Sequence, residues 1–198
     1  MADLFCNPIT GNIFERACAL QKGGLAQKIY VANLGEIATN GITYNVGGEV
    51  TAIVMKVNPV TTPDLYNWFQ IGAKKQSASV ESIKAGGENS TYFDQTVSFS
   101  VRGMGTLNKK AFESMVNGQA VFIVQDSTGV WHIVGEKSGA EMTEGKIGSG
   151  VSIDDFVGSI ATFVAKENFV HRTVASGTTI EVLETDGVTI STVTLTAA

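Results

Sequence analysis

Residues 93–101 constrain this chain more than any other stretch. Phe93, Gln95, Val97, Phe99 and Val101 alternate with Asp94, Thr96, Ser98 and Ser100. A period of two sends the first set to one face of an extended segment and the second set to the other. Such a segment is a half-buried antiparallel strand, with one face on a core and one on water. Gly86-Gly87 separates it from residues 76–85, so the two segments read as a hairpin.

Much of the chain has the same texture. Residues 28–34 (KIYVANL), 49–57 (EVTAIVMKV), 119–125 (QAVFIVQ), 130–134 and 157–166 (VGSIATFVAK) are short runs rich in β-branched and apolar residues. Asn40-Gly41, Gly47-Gly48 and the DSTG of 126–129 read as turns between them. Residues 65–71 (LYNWFQI) fit a strand or a helical turn equally, and Pro59 and Pro63 punctuate the stretch before them. Residues 135–150 read as a Gly-rich loop with a short strand at 140–143.

The period changes once. In 108–117 (NKKAFESMVN) Ala111 pairs with Met115 and Phe112 with Val116 at i, i+4, which predicts a short amphipathic helix with Asn108 as its N-cap and Gly118 as its stop. At the N-terminus 13–20 (IFERACAL) has short-helix spacing before the breaker Gly23-Gly24. Residues 175–198 carry two Thr/Val/Ile-rich runs around Thr185-Asp186-Gly187. A lone hairpin is marginal in water, so this one must extend the main sheet or lie on a neighbour. Its deletion is expected to leave a folded body and weaken assembly. Together these features predict a mainly β chain: an antiparallel β-sandwich or rolled β-barrel with one short flanking helix. An N-terminal arm spans 1–27, the body 28–174 and a C-terminal hairpin extension 175–198.

Charge narrows the function classes. The chain carries 14 basic and 19 acidic residues, a net charge of −5, and its longest basic runs are Lys74-Lys75 and Lys109-Lys110. Gripping phosphates needs a basic stripe, which this pattern lacks. Charged residues make up 17% of the chain, against roughly 25% in typical soluble domains, so neutral surface is available for burial against a partner. No apolar run is long enough to span a membrane, and the N-terminus lacks the basic and apolar regions of a secretory leader. A soluble protein made in a cytoplasm is the expectation, with Cys6 and Cys18 as free thiols and Asn89-Ser90-Thr91 an accidental glycosylation match.

No motif points to chemistry. A nucleophile needs a base within reach, and the two histidines are His132, expected to face solvent opposite a buried Trp131 and Ile133, and His171, beside Arg172 at a strand end. An enzyme would have to be built from Asp154, Asp155 and His171, which no motif supports. Adjacent Asp154 and Asp155 point apart on an extended segment, and Glu141 and Glu144 follow no metal-loop spacing. The run 145–150 (GKIGSG) lacks the order of a phosphate loop. Trp68, Phe69 and Trp131 are interleaved with neutral and acidic residues, which suits core or interface positions rather than base stacking. No catalytic residue, cofactor site or metal site is therefore expected.

The order of parts carries more information than any one residue. It runs from KIYVANLGEI (28–37) to the strand TYFDQTVSFSV (91–101), the helix NKKAFESMVNG (108–118), and at once the pair QAVFIVQDSTGVWHIVGE (119–136). EMTEGKIGSG (141–150) and a final strand follow. This order resembles the tail tube and tail-ring subunits of tailed bacteriophages over residues 28–170. The resemblance implies a β-sandwich or rolled barrel flanked by one helix. It also implies a virion structural protein of the tail or head–tail junction, made in the host cytoplasm. Its partners would be copies of itself in a ring, commonly hexameric, and other tail or neck proteins, and its sheets would join around a channel through which DNA passes without specific binding. The terminal segments 1–27 and 175–198 exceed a minimal tube subunit, which leaves a tube, a neck ring and a ring in a short tail all open. Net acidity suggests a lumen face of acidic and neutral residues, repelling DNA within a Debye length of about 8 Å. The alternative is a capsid decoration or fibre-like binding module, which would expose an aromatic cluster around Trp68 or Trp131.

Overall fold

A computed structural model describes residues 25–57, 66–73, 77–87, 90–103, 105–149, 156–183 and 189–197. Expectations placed on 13–20, Cys6, Cys18, Asn89, Asp154, Asp155 and the 185–187 turn lie outside these residues.

Two sheets make the architecture. The smaller is antiparallel and contains β5 (Ser79–Ala85), β6 (Tyr92–Arg102), β10 (Gly158–Glu167) and β9 (Glu141–Gly148), in that spatial order. The expected alternation holds over 95–99 of β6, where Gln95, Val97 and Phe99 are buried between half-buried Thr96 and Ser98, and it breaks at Ser100, which is buried too. β6 pairs with β5 as the expected hairpin and with β10 through an unbroken register in which Val97 faces Phe163 and Phe99 faces Ala161.

The larger sheet has nine strands: β1 (Leu25–Asn33), β2 (Ile37–Tyr44), β3 (Val50–Met55), β4 (Trp68–Gly72), β7 (Ala120–Asp126), β8 (Trp131–Val134), β11 (Arg172–Val174), β12 (Thr178–Leu183) and β13 (Ile190–Leu195). Their spatial order is β13-β12-β4-β1-β7-β8-β11-β3-β2. The sheet is mixed rather than purely antiparallel, because β11 pairs β3 and β12 pairs β4 in parallel. It curls until its two ends meet. β12 and β3, each one strand in from an end, come together there: the Thr178 hydroxyl of β12 lies within hydrogen-bond reach of the Val50 and Thr51 carbonyls of β3.

The curl creates two cores. Tyr30, Val50, Trp68, Val121, Ile123, Trp131, Ile180, Val182 and Leu195 fill its inside. Ile29, Val31, Phe122 and Val124 on its outside pack against Val97, Phe99, Ala161 and Phe163 of the smaller sheet. The rings of Phe99, Phe122 and Phe163 meet at centroid distances of 4.8–6.1 Å. β7 therefore has core on both faces, and Ala120–Val124 are all buried. This explains why AVFIV reads as a continuous apolar run instead of alternating.

The one α-helix among the described residues, α1 (Thr106–Val116), lies over β9. Phe112 and Met115 pack on the outer core from it. The helix begins at Thr106, with Gly105 at the N-cap position, and not at Asn108. Asn108 sits inside the first turn, and its amide donates to the Arg102 and Gly103 carbonyls. Its side chain anchors the helix start to the end of β6 without capping it.

Four further expectations need correction. Asn40-Gly41 lies inside β2 at an irregular register rather than forming a turn between strands, with Asn40 at φ 58°. Residues 141–148 form a full strand paired along β10, so Glu141, Glu144 and Gly145 belong to a sheet edge and not a loop. There Gly145 lets the Phe112 ring lie close over the strand, since a Cβ at 145 would come within 2.7 Å of it. β1 begins at Leu25, inside the stretch expected to form an arm. The C-terminal hairpin does extend the main sheet, as one of the two expected placements had it, but it supplies core residues and not an appendage.

Candidate functional site

Polar groups gather where the β5 edge of the smaller sheet meets the β7–β8–β11 part of the larger one. Two side-chain chains run through this junction.

The first is Asp126–His132–His171–Ser82. Asp126 ends β7, and its Oδ1 accepts the Thr128 and Val130 amides and the Thr128 hydroxyl, an Asx-type lock on the turn. Its Oδ2 lies 3.3 Å from His132 Nε2. Burial pushes the Asp126 carboxyl up, but the bonds from Thr128, His132 and Val130 outweigh it and hold the group below the usual carboxylate range. His132 is half-buried and not solvent-facing as expected. Its ring meets the His171 ring edge-on at 5.0 Å between centroids. With Nε2–H directed to Asp126, its Nδ1 is left buried and unpartnered. His171 Nδ1 lies 2.7 Å from Ser82 Oγ, and the same oxygen accepts the His171 backbone N–H at 3.1 Å. Burial, then the proximity of His132, lowers the His171 imidazole below its ordinary pKa.

The second chain centres on Arg172. Its guanidinium is sandwiched between the Tyr44 and Phe169 rings, 4.5 and 4.3 Å from their centroids. Its Nε lies 3.4 Å from Glu136 Oε1, which also accepts the Tyr44 hydroxyl at 3.2 Å. Burial, only partly offset by Arg172, raises the Glu136 carboxyl, and burial followed by the Glu136 charge pushes Tyr44 up to about 12. Buried Glu167 accepts the Lys137 and Ser138 amides, and buried Gln95 bridges the Phe169 carbonyl and the Gly135 amide. These bonds tie the 135–139 turn to β6 and β10. Gly135 itself stands at φ 76°, and a Cβ there would lie 2.8 Å from the Ala140 nitrogen and 3.0 Å from the Ala120 oxygen. Gly135→Ala is expected to cost about 2–3 kcal/mol, because the obstacles are backbone and the conformation is strained for an L-residue. A denaturant midpoint shift at constant m-value measures it.

Chemically, this junction positions and cross-links. Ser82 Oγ serves the His171 backbone as well as its ring, and the two rings touch by packing. Among the described residues no group of three or more His, Cys, Asp or Glu is arranged to hold a metal, and no helix is long and apolar enough to cross a membrane. Of the candidate chemical residues singled out in the sequence, the fold brings His132 and His171 together, while Asp154 and Asp155 lie outside the described residues. Trp68 and Trp131 are buried, so they form no exposed aromatic cluster, whereas Phe69 is exposed. Sequence reading missed Ser82, Asp126, Glu136 and Arg172 as a group. The one signal present was polarity at an inward position: Gln95 lies on the apolar face of β6.

The edges form the second feature. In the smaller sheet, β5 and β9 each have one side unpaired among the described residues. Its outer face, by register, carries Thr96, Ser98 and Thr162 with Glu81, Asp94, Glu141 and Glu144 against Lys146, Lys166 and Arg102. Comparison with family models, curated proteins and solved structures finds no match.

Proposed function

We propose that this chain is a structural subunit of a bacteriophage virion, a tail tube or tail/neck ring protein that assembles with copies of itself around a channel for DNA. The observation that carries the reading is the four-stranded sheet: one face lies on the core, the other is largely exposed or half-buried, and both edges are open among the described residues. Open edges template pairing with another chain. Joining β5 of one copy to β9 of the next is a heterologous contact, which closes into a ring at the right rotation and consumes both edges. Six copies would bring about 24 strands, spaced ~4.8 Å and tilted 35–45°, into a circle of roughly 45–52 Å. Less about 5 Å of side chain on each wall, the bore admits a nucleic-acid duplex. The outer face of the sheet would then line the channel. It mixes hydroxyls with the exposed Ile83 and Ile160 and carries four carboxylates against three cations, a weakly acidic wall that DNA would slide past without gripping.

A crosslink tests the contact. β5 and β9 stand three strand spacings apart within one copy, about 14 Å, far beyond disulfide reach. With Cys6 and Cys18 replaced by Ser, Ile83→Cys combined in turn with Glu141→Cys, Glu144→Cys and Lys146→Cys is expected to give an oxidised ladder of oligomers for one register. Monomers at every register under assembly conditions would sink the β5–β9 contact.

A further inference from the structure

We propose that the His132–His171 contact is an acid-sensitive clasp that holds the β5 edge on the larger sheet and releases it on protonation. The inference does not depend on the ring reading, although β5 is the edge that reading uses.

The geometry isolates this contact. β5 is bound to the rest of the smaller sheet along one side only, by β6. Ser82 tethers it to the larger sheet, since its hydroxyl oxygen both accepts the His171 backbone N–H and bonds the ring Nδ1. Neutral His171 accepts the Ser82 hydroxyl proton there. A protonated ring turns Nδ1 into a donor; the serine oxygen has a lone pair for each N–H, but its own hydroxyl proton loses the acceptor it had, and the ring carries a charge into a half-buried site beside His132. His132 compounds the cost. Its ring lies edge-on against His171 and its buried Nδ1 has no partner, so this side of His171 offers a cation no fixed acceptor charge.

The charges around the clasp do not offset this evenly. β7 contributes Asp126, which lies against His132 Nε2, on the side away from Ser82. β11 contributes Arg172, a further cation beside His171 in the chain, paired to Glu136 and stacked on Tyr44 and Phe169. Glu167 is taken up by the 137 and 138 amides. On β6, neutral Gln95 stands opposite Ser82, and on β5 Glu81 faces the other side of the sheet while Lys84 shares the clasp side. A cation on His171 thus meets Arg172 and the His132 ring before any unpaired carboxylate. The sign follows from the lowered His171 pKa. Its contribution is present above the unfolded-state value of about 6.5 and is lost as pH falls through the lower folded-state value.

Hydrogen exchange read segment by segment tests the clasp, corrected for the intrinsic pH dependence of amide exchange. Between pH 7.5 and pH 5, protection of residues 79–85 is expected to fall at least tenfold while protection of 120–124 holds. His132→Gln, which keeps the Ser82–His171 bond, is expected to fold and to reduce that response. Ser82→Ala is expected to leave 79–85 weakly protected at every pH. Unchanged protection of 79–85 across the range would overturn the proposal, as would an equal loss in 120–124 or an undiminished response in His132→Gln.

Discussion

Val97→Asp is expected to abolish the native fold. Val97 has no exposed surface and lies across β6 from Phe163, inside the core shared by the two sheets. An aspartate there finds Phe99, Phe122 and Phe163 rather than a cation. Burying an unpaired carboxylate costs several kcal/mol, about 3 and upward, out of a total stability of roughly 5–15 kcal/mol. Protonation can offset part of that cost, so the variant is expected to be less damaged at low pH. Thermal unfolding and the soluble fraction measure the effect. A soluble variant with a wild-type melting temperature would show that β6 does not present this face to the core.

Deleting residues 175–198 is expected to be as severe, which reverses what the sequence suggests. Read alone, two Thr/Val/Ile-rich runs at the end of a chain look detachable. In the fold they close the curl. Ile180, Val182 and Leu195 are buried beside Trp68 and Val50, and the Trp131 indole N–H donates to the Thr196 carbonyl at 3.0 Å. Fully burying one such aliphatic side chain is worth about 1.5–3 kcal/mol, so losing three removes roughly 5–9 kcal/mol before the exposed partners are counted. β4 would also lose its β12 neighbour and become a bare edge carrying Trp68. The truncated chain is expected to be insoluble or to bind an apolar dye as a loosened state. A truncated protein with sharp thermal unfolding would show that the body stands without its hairpin.

How much of this was legible depends on the range of the forces involved. The β6 alternation, the β5–β6 and β7–β8 hairpins and the single helix follow from neighbouring residues, and they appear where periodicity placed them. The start of α1 did not, because Asn108 bonds to the Arg102 and Gly103 carbonyls, a tertiary use that resembles a cap in sequence. Glycines misled twice. Gly145 reads as a loop residue but makes room for Phe112, and Gly41 reads as a turn but packs against the Val54 and Ala38 carbonyls inside a bulged strand. The junction between the sheets was not legible. Ser82 and His171 are 89 positions apart, and Tyr44 and Glu136 are 92 apart, so no window on the chain holds both partners.

Electron microscopy of the purified, concentrated protein, with native mass to count subunits, tests the central claim most directly. The account predicts rings or tubes with a central hole, walled by the β5-β6-β10-β9 sheet and continuous from β9 of one copy to β5 of the next. Particles that stay discrete monomers or compact trimers, or a channel walled by another face of the subunit, would contradict it.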